Sequence, residues 1–182
     1  MGERNLIYLQ SNETYSMDEF EKAKLIAYRF LSYRPRSKKE IENKLIEKKI
    51  SRNTITNILD FLEENNYIND KDFSINWIKY RLENKPMGRA FLEYELRKKG
   101  VSRELISESL NKVFGEEFNE NDIAIKVAQK KLISLRKNKA DNYILKRRLF
   151  NYLHRKGFSL DTIEQVISGI LTDNKYIVSG EK

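Results

Sequence analysis

Apolar residues in this chain recur at spacings of three and four almost from end to end, with little strict alternation, so the pattern predicts helix rather than sheet. Phe20, Ala23, Leu25, Ile26, Phe30 and Leu31 make a first buried stripe. A capping-box pattern at Ser16 and Glu19 opens it, and Arg34-Pro35-Arg36 stops it, because the residue before a proline is pushed out of helical geometry. A second box, Ser37 with Glu40, opens a helix whose inward face is Ile41, Leu45 and Ile46. A tight turn at Lys49-Ile50 leads to Ser51, the expected N-cap of a third helix carrying Ile55, Ile58, Leu59 and Leu62. Glu63 to Asn66 is a polar boundary. Before all this, the apolar run Leu6 to Leu9 fits either a short strand or a frayed end.

The plan then repeats. Either Asp70 or Asp72 caps a helix with Phe73, Trp77, Ile78 and Leu82, broken by Asn84 to Gly88. Phe91, Leu92 and Leu96 line the next helix, which Gly100 is placed to end with a positive φ. Ser102 caps the following one, with Leu105, Ile106, Leu110 and Val113 inward. In a third set, Ile125, Val127, Ala128, Leu132 and Leu135 form a long helix, residues 138–142 a turn, and Leu145, Leu149 and Leu153 a second helix ended by Gly157. Ser159 opens the last helix, with Ile163, Val166, Ile167 and Leu171. The likeness extends to identity: Pro35 to Leu59 returns without a gap 51 residues on at Pro86 to Leu110, with eight of 25 positions identical. A fainter copy lies 57 residues further, where Arg-Lys-Gly-Phe-Ser at 155–159 answers Lys-Lys-Gly-Val-Ser at 98–102. A period near 50 marks a small unit stacked on itself, an architecture that presents a surface to a partner more readily than it encloses a catalytic pocket. The expected division is an acidic segment 1–20, helical repeats 21–66, 67–118 and 119–174, and a tail 175–182.

Composition sharpens this. The 182 residues hold 40% hydrophobic and 11% aromatic residues, enough for a core, with two prolines, seven glycines and no cysteine. Disulfides, zinc–thiolate sites and thiol nucleophiles are thereby excluded, and a reducing compartment fits. No stretch is long and apolar enough to span a membrane, and the N-terminus lacks a signal pattern, so a cytoplasmic, monomeric protein is expected. The net charge of +8 is concentrated: residues 124–182 alone carry thirteen bases and five acids. From Lys126 to Lys156 there are eleven Lys or Arg against one acid, Asp141, a field that attracts polyanions such as nucleic acid.

Catalytic chemistry finds no footing. One histidine, His154, has no nucleophile elbow to serve, and there is no phosphate-binding glycine loop or calcium loop. The pairs Glu63-Glu64 and Glu116-Glu117 sit at polar boundaries and read as solvated turns. The chain is expected not to be an enzyme and to need no cofactor or metal.

Three places resemble the RecX family, the bacterial regulators of the RecA recombinase. Ala27-Tyr-Arg-Phe-Leu-Ser-Tyr-Arg-Pro-Arg-Ser37, followed by Glu40-Ile-Glu-Asn-Lys-Leu45, is similar to the family's first-repeat signature. Tyr67-Ile-Asn-Asp70 running into Asp72, Phe73, Trp77 and Arg81 resembles its boundary before the second repeat. Gly88 with Glu95 to Val101, echoed by Leu153 to Phe158, resembles its later repeats. Ser74 departs from the family's preferred alanine and Lys49 from its glycine. The resemblance covers residues 21 to about 171. It implies an all-α, elongated and curved tandem array of three three-helix, helix-turn-helix-like repeats. Such an array would lie in the groove of the RecA–single-stranded DNA filament, inhibiting its ATPase and strand exchange.

The candidate contact residues are the bases. Arg34 and Arg36 flank a rigid proline. Arg89, Arg97, Lys98, Lys99 and Arg103 gather on the second repeat, and Lys130, Lys131, Lys146, Arg147, Arg148, Arg155 and Lys156 on the third. For the first two repeats, ordinary helical pairing with nearby acids, such as Glu95 with Lys98 and Lys99, is an equal reading. Tyr28, Tyr33, Tyr80, Tyr143 and Tyr152 accompany these bases and suit either base stacking or the edge of a small core. Two rivals to a filament regulator stay open: a direct DNA-binding module of tandem helix-turn-helix units, and an adaptor for another acidic protein.

Overall fold

The structure, a computed structural model, describes residues 18–136 and 141–172. Among the described residues there are nine helices and no strand: α1 (Glu19–Leu31), α2 (Lys38–Glu47), α3 (Arg52–Glu64), α4 (Asp70–Asn84), α5 (Arg89–Lys98), α6 (Arg103–Glu116), α7 (Glu120–Arg136), α8 (Asn142–Arg155) and α9 (Leu160–Thr172). The all-α class and the three-by-three order are as the periodicity predicts. The apolar run at 6–9, most of the turn at 138–142 and the tail lie outside the described residues.

The described residues pack into two compact units, one holding residues 18–36 and Glu40–Ile68, the other Ser37–Lys39 and residues 69–136 and 141–172. The first unit buries Ala23, Ala27, Ile41, Leu45, Ile55, Ile58, Leu59 and Leu62. In the second, α4 to α9 share one continuous core running from Phe73 to Ile170. Two expected core residues are outside: Leu25 is 55% exposed and Ile46 53%. Ala23 and Ala27 are buried and set the inward line of α1, and Leu25, two residues from each, points some 200° away around the helix. Ile46 follows Leu45 by one position and is turned about 100° off the buried line of Ile41 and Leu45.

Capping follows the repeat. Ser51, Ser102 and Ser159 accept hydrogen bonds from Thr54 N (3.3 Å), Leu105 N (3.3 Å) and Thr162 N (3.2 Å), opening α3, α6 and α9. The first helix of each set is opened by Asp18, Asn69 or Asn119, so Asn69 takes the place of the expected cap at Asp70 or Asp72, while Ser16 lies outside the described residues. Asn69 accepts from Lys71 N at 2.9 Å and Asp72 N at 3.1 Å. The acid one place later is thereby free to work at a distance. Glu19 takes the amide of Ser51 (3.0 Å) and the hydroxyls of Ser51 and Thr54 (2.6 Å each), fastening α1 to the start of α3.

A joint recurs within the second unit. Lys38 N donates to Asp70 Oδ1 at 2.8 Å, and Ser37 Oγ to the Lys99 carbonyl at 2.6 Å. Fifty-one positions on, Arg89 N donates to Glu120 Oε1 at 3.1 Å, and Gly88 N to the Lys156 carbonyl at 2.9 Å. In the second joint the orphan amides of Gly88 and Ala90 meet the carbonyls of the turn that ends α8, positive pole to negative pole; in the first, the Ser37 hydroxyl takes the turn carbonyl and the Lys38 amide a carboxylate. The turns are tight: Gly100 has φ 78° and Gly157 φ 81°. A Cβ at Gly100 would overlap the Lys39 side chain, and one at Gly157 the backbone of Phe91. The equivalent residue of the first set is Lys49, at φ 58°.

Serine fills two apolar slots of the repeat. Ser74, where the first set has Ala23, is fully buried and donates to the Asp70 carbonyl at 2.6 Å. Ser109, in the slot of Ile58, is fully buried with no partner for its hydroxyl, a cost the surrounding packing must offset.

Lys49→Gly removes a left-handed side chain while enlarging the freedom of the unfolded chain. The net expected gain is about 1 kcal/mol, read by urea unfolding; a loss would mean the Lys49 side chain contributes packing. Glu19 supplies a pH dependence. Its carboxyl is held below the usual range, first by the Ser51 and Thr54 hydroxyls and then by the Ser51 amide. A depressed folded-state pKa stabilises above the unfolded value and ceases to as pH falls through the folded one. Glu19→Gln should therefore lower Tm at neutral pH, with the gap to wild type closing in acid. A pH-independent gap would refute the assignment.

Candidate binding surface

The fourteen expected contact residues divide by what already holds them. Arg34 donates to both oxygens of Glu40 (2.7 and 3.3 Å) and to the Pro35 carbonyl (2.9 Å). Arg36 lies flat over Phe30, 3.8 Å from the ring centroid, with Nε on the Phe30 carbonyl at 3.3 Å. Burial, then the neighbouring Arg34 charge, lowers its pKa. This pair locks the end of α1 to α2, so its chief role is internal.

On the second set, Arg89 lies 5.1 Å from the Phe114 ring and bonds Asn111, while its backbone amide belongs to the joint. Arg97 pairs loosely with Glu93 at 3.9 Å, and Lys98 sits 4.8 Å from the Tyr94 ring. Arg103 is exposed at the start of α6. The expected helical pairing of Glu95 with Lys98 and Lys99 is replaced: its Oε2 takes Arg81 Nε at 2.8 Å and the Trp77 indole at 3.2 Å, both from α4. Lys99 lies 4.0 Å from the Trp77 ring. A contact between helices outcompetes one along a helix here because it is half-buried, where charge interactions are less screened.

On the third set, Lys130, Lys146, Arg147, Arg148 and Arg155 are exposed. Lys131 and Lys156 instead share one ring, at 5.2 and 5.7 Å from Tyr152. The ammonium of Lys156 is destabilised, its pKa lowered by burial first and then by the charges of Arg81 and Lys85. Those two bases of α4 and its C-terminus were not among the expected residues; they carry no local sign of function, since only the packing of α4 beside the turn after α8 brings them near Lys156.

The remaining chemistry is sparse. His154 is exposed and stacks on Phe150 at 6.2 Å. Glu117, exposed at the end of α6, pairs with Lys79 of α4. No group of three or more His, Cys, Asp or Glu able to hold a metal occurs among the described residues, and no helix among them is long and apolar enough to cross a membrane. An open groove of about 470 Å³ between α8 and α9 is lined by Lys146, Phe150, Glu164, Ile167, Ser168 and Leu171. Its polar lining is one base, one acid and one hydroxyl, Lys146, Glu164 and Ser168.

Three family models match in order: the first, second and third three-helix domains of RecX, over residues 23–62, 69–110 and 119–167. The regulatory protein RecX of Clostridium perfringens strain 13 is 36% identical over 165 residues, which are 91% of this chain and 76% of that protein. The chain belongs to the RecX family. The regulatory protein RecX of Clostridium botulinum strain Eklund 17B is 33% identical over 87% of this chain and 73% of its own length. Among solved structures, RecX from Lactobacillus salivarius superposes with a TM-score of 0.76 at 23% identity, covering 86% of this chain and 99% of that one, which supports the fold.

Within this RecX-family frame the Trp77–Arg81–Glu95 contact is mostly buried, with 12% of the Arg81 and 21% of the Glu95 side chain exposed. Glu95→Ala strands a guanidinium and an indole N–H together. The expected loss is about 2 kcal/mol, with Glu95→Gln milder because its amide oxygen still accepts. Trp77 is the chain's one tryptophan, so its emission during unfolding measures both.

Proposed function

We propose that this chain is a non-enzymatic regulator of homologous recombination. It binds the RecA–single-stranded DNA filament in the bacterial cytoplasm and inhibits the filament's ATPase and strand exchange. Membership of the RecX family, along most of the chain and in all three helical sets, is the observation that carries this reading. The relatives' name, regulatory protein, points the same way, as does the absence of any nucleotide-triphosphate loop in the sequence. A periodic molecule suits a periodic partner: several weak contacts, each in register with a protomer or a phosphate, add up to avidity without one tight pocket. The exposed bases Arg97, Arg103, Lys130, Lys146, Arg147, Arg148 and Arg155 are the residues available for it.

A second reading is direct DNA binding without recombinase specificity, favoured by the cations held over aromatic rings on the second unit. The test is single-stranded-DNA-dependent ATP hydrolysis by a bacterial RecA, titrated with this protein at two salt concentrations. Inhibition well below the amount that coats the bare DNA is expected. Inhibition that appears only once free DNA is saturated would replace the first reading by the second, and unchanged hydrolysis at filament-saturating protein would exclude it.

A further inference from the structure

The first two sets each end on an aromatic residue that folds back. After α3, Asn66 takes φ 58° and Tyr67 N donates to the Leu62 carbonyl at 2.8 Å. The Tyr67 ring then packs on Tyr28 (4.9 Å) and Phe61 (6.3 Å). After α6, Phe118 N donates to the Val113 carbonyl at 3.0 Å, and its ring packs against the core. Leu62, Val113 and Ile170 hold the same buried position of their helices, so Asn174 falls on Asn66. The aromatic residue that follows, Tyr176, comes one place later than Tyr67 and Phe118. The surroundings change as well. Counted from the start of each helix, Gln129 and Gly169 stand where Tyr28 and Phe61 stand in the first set, and a Cβ at Gly169 would meet nothing within 4 Å. No ring waits there for a tyrosine. On the other side of α9, Phe150, Ile167 and Leu171 line the open groove against α8. In the second set the counterpart of this groove is bridged: Arg89, in the place of Lys146, reaches Asn111 and the Phe114 ring, 5.1 Å away.

We propose that the groove between α8 and α9 is the seat of this chain's own segment 173–178, with Tyr176 and Val178 set into it. The segment follows directly on Thr172, beside the groove-lining Leu171. From Leu171 back to Glu164 the helix covers about 10 Å, and four extended residues span about 13 Å, so a chain turned back at Asn174 reaches along the whole groove. Successive side chains of an extended segment point to opposite sides. The delay of one residue therefore turns Tyr176 away from the first-helix side, where Tyr67 packs, and toward the second-helix side, where the groove lies. Val178 would share that side, with Ile177 and Ser179 on the other. A tyrosine suits the lining: its ring meets Phe150, Ile167 and Leu171, while its hydroxyl stays at the polar edge formed by Glu164 and Ser168. Tethering favours this occupant over a separate one. A segment attached at the rim of the groove is present at an effective concentration near millimolar, so a modest apolar contact is enough to hold it.

The inference is independent of the regulatory reading and is tested on the full chain, with neither recombinase nor DNA. The sequence has no cysteine, so a single introduced thiol reports alone. Val178→Cys should react with dithionitrobenzoate about tenfold more slowly than Ser179→Cys, because only the first is covered. Adding Tyr176→Ala should raise the Val178→Cys rate to that of Ser179→Cys. A double-mutant cycle checks the contact itself, read by urea unfolding through the emission of Trp77 in the same unit. Tyr176→Ala should lower the folding equilibrium constant about fivefold in the unmodified protein and hardly at all beside Phe150→Ala. Leu171→Ala replaces Phe150→Ala if that variant does not fold. Equal reactivity of the two thiols, or additive effects in the cycle, would overturn the proposal. Protection that grows with protein concentration, together with a dimer in sedimentation, would overturn it too, since the occupant would then be the segment of a second copy.

Discussion

The second unit depends on one recurring constraint: the polar groups that begin one helix must find acceptors, and the turn that ends another helix, together with the first acid of a third, supplies them. Gly88 and Ala90 donate to the carbonyls of Lys156 and Gly157, and Lys38 and Ser37 find Asp70 and the Lys99 carbonyl. Such amides buried without acceptors would cost as much as several lost hydrogen bonds, so the contact satisfies two helix ends at once. It also explains why the glycines stand where they do. Gly100 and Gly157 are needed for their left-handed φ and also because a side chain there would occupy the place of the arriving helix. The acid that completes each joint, Asp70 or Glu120, is the first residue of its helix, where it also suits the positive end of the dipole.

The first unit keeps the same frame with different chemistry. Lys49 occupies the glycine position and makes the same left-handed turn with a side chain in place, while Glu19, in the acid position, takes other partners. Glu19 turns to Ser51 and Thr54 of its own unit, and the stiff corner at Arg34, Pro35 and Arg36 ties α1 to α2 through Glu40 and Phe30. Identical spacing thus carries two kinds of wiring. The repeat conserves where polar groups stand, and the surroundings decide which partner each one takes.

That distinction marks what could be read from the sequence. Helix order, the serine caps at 51, 102 and 159, the glycine ends and most of the buried stripes depend on neighbours within four residues, and the sequence pattern contains them. The differences have two sources, a partner from farther away and the phase of a helix. Glu95 pairs with Trp77 and Arg81 on another helix, not with lysines three and four places on. Leu25 and Ile46 are apolar but lie off the line that the alanines and leucines of their helices bury. The surface was legible as charge, not as arrangement. Counting bases picks out the third set as the most basic, whereas Arg81 and Lys85 stand in a stretch of balanced charge and act on Lys156 only through packing.

On the proposed reading, the bases would act over two ranges. Arg147, Arg148 and Arg155 extend into solvent, where a charge is felt across roughly one Debye length, about 8 Å at physiological salt. They can draw a polyanion in and set the general orientation, at a rate that falls with salt, but mobile side chains define no register. Lys131 and Lys156 are half-buried, already ordered against Tyr152, and have less entropy to lose when an anion arrives. Charge density alone would favour the exposed helix as the place of recognition. Order favours the ring-bound lysines, because a contact that distinguishes one ligand from another needs groups that stay where they are before the ligand comes.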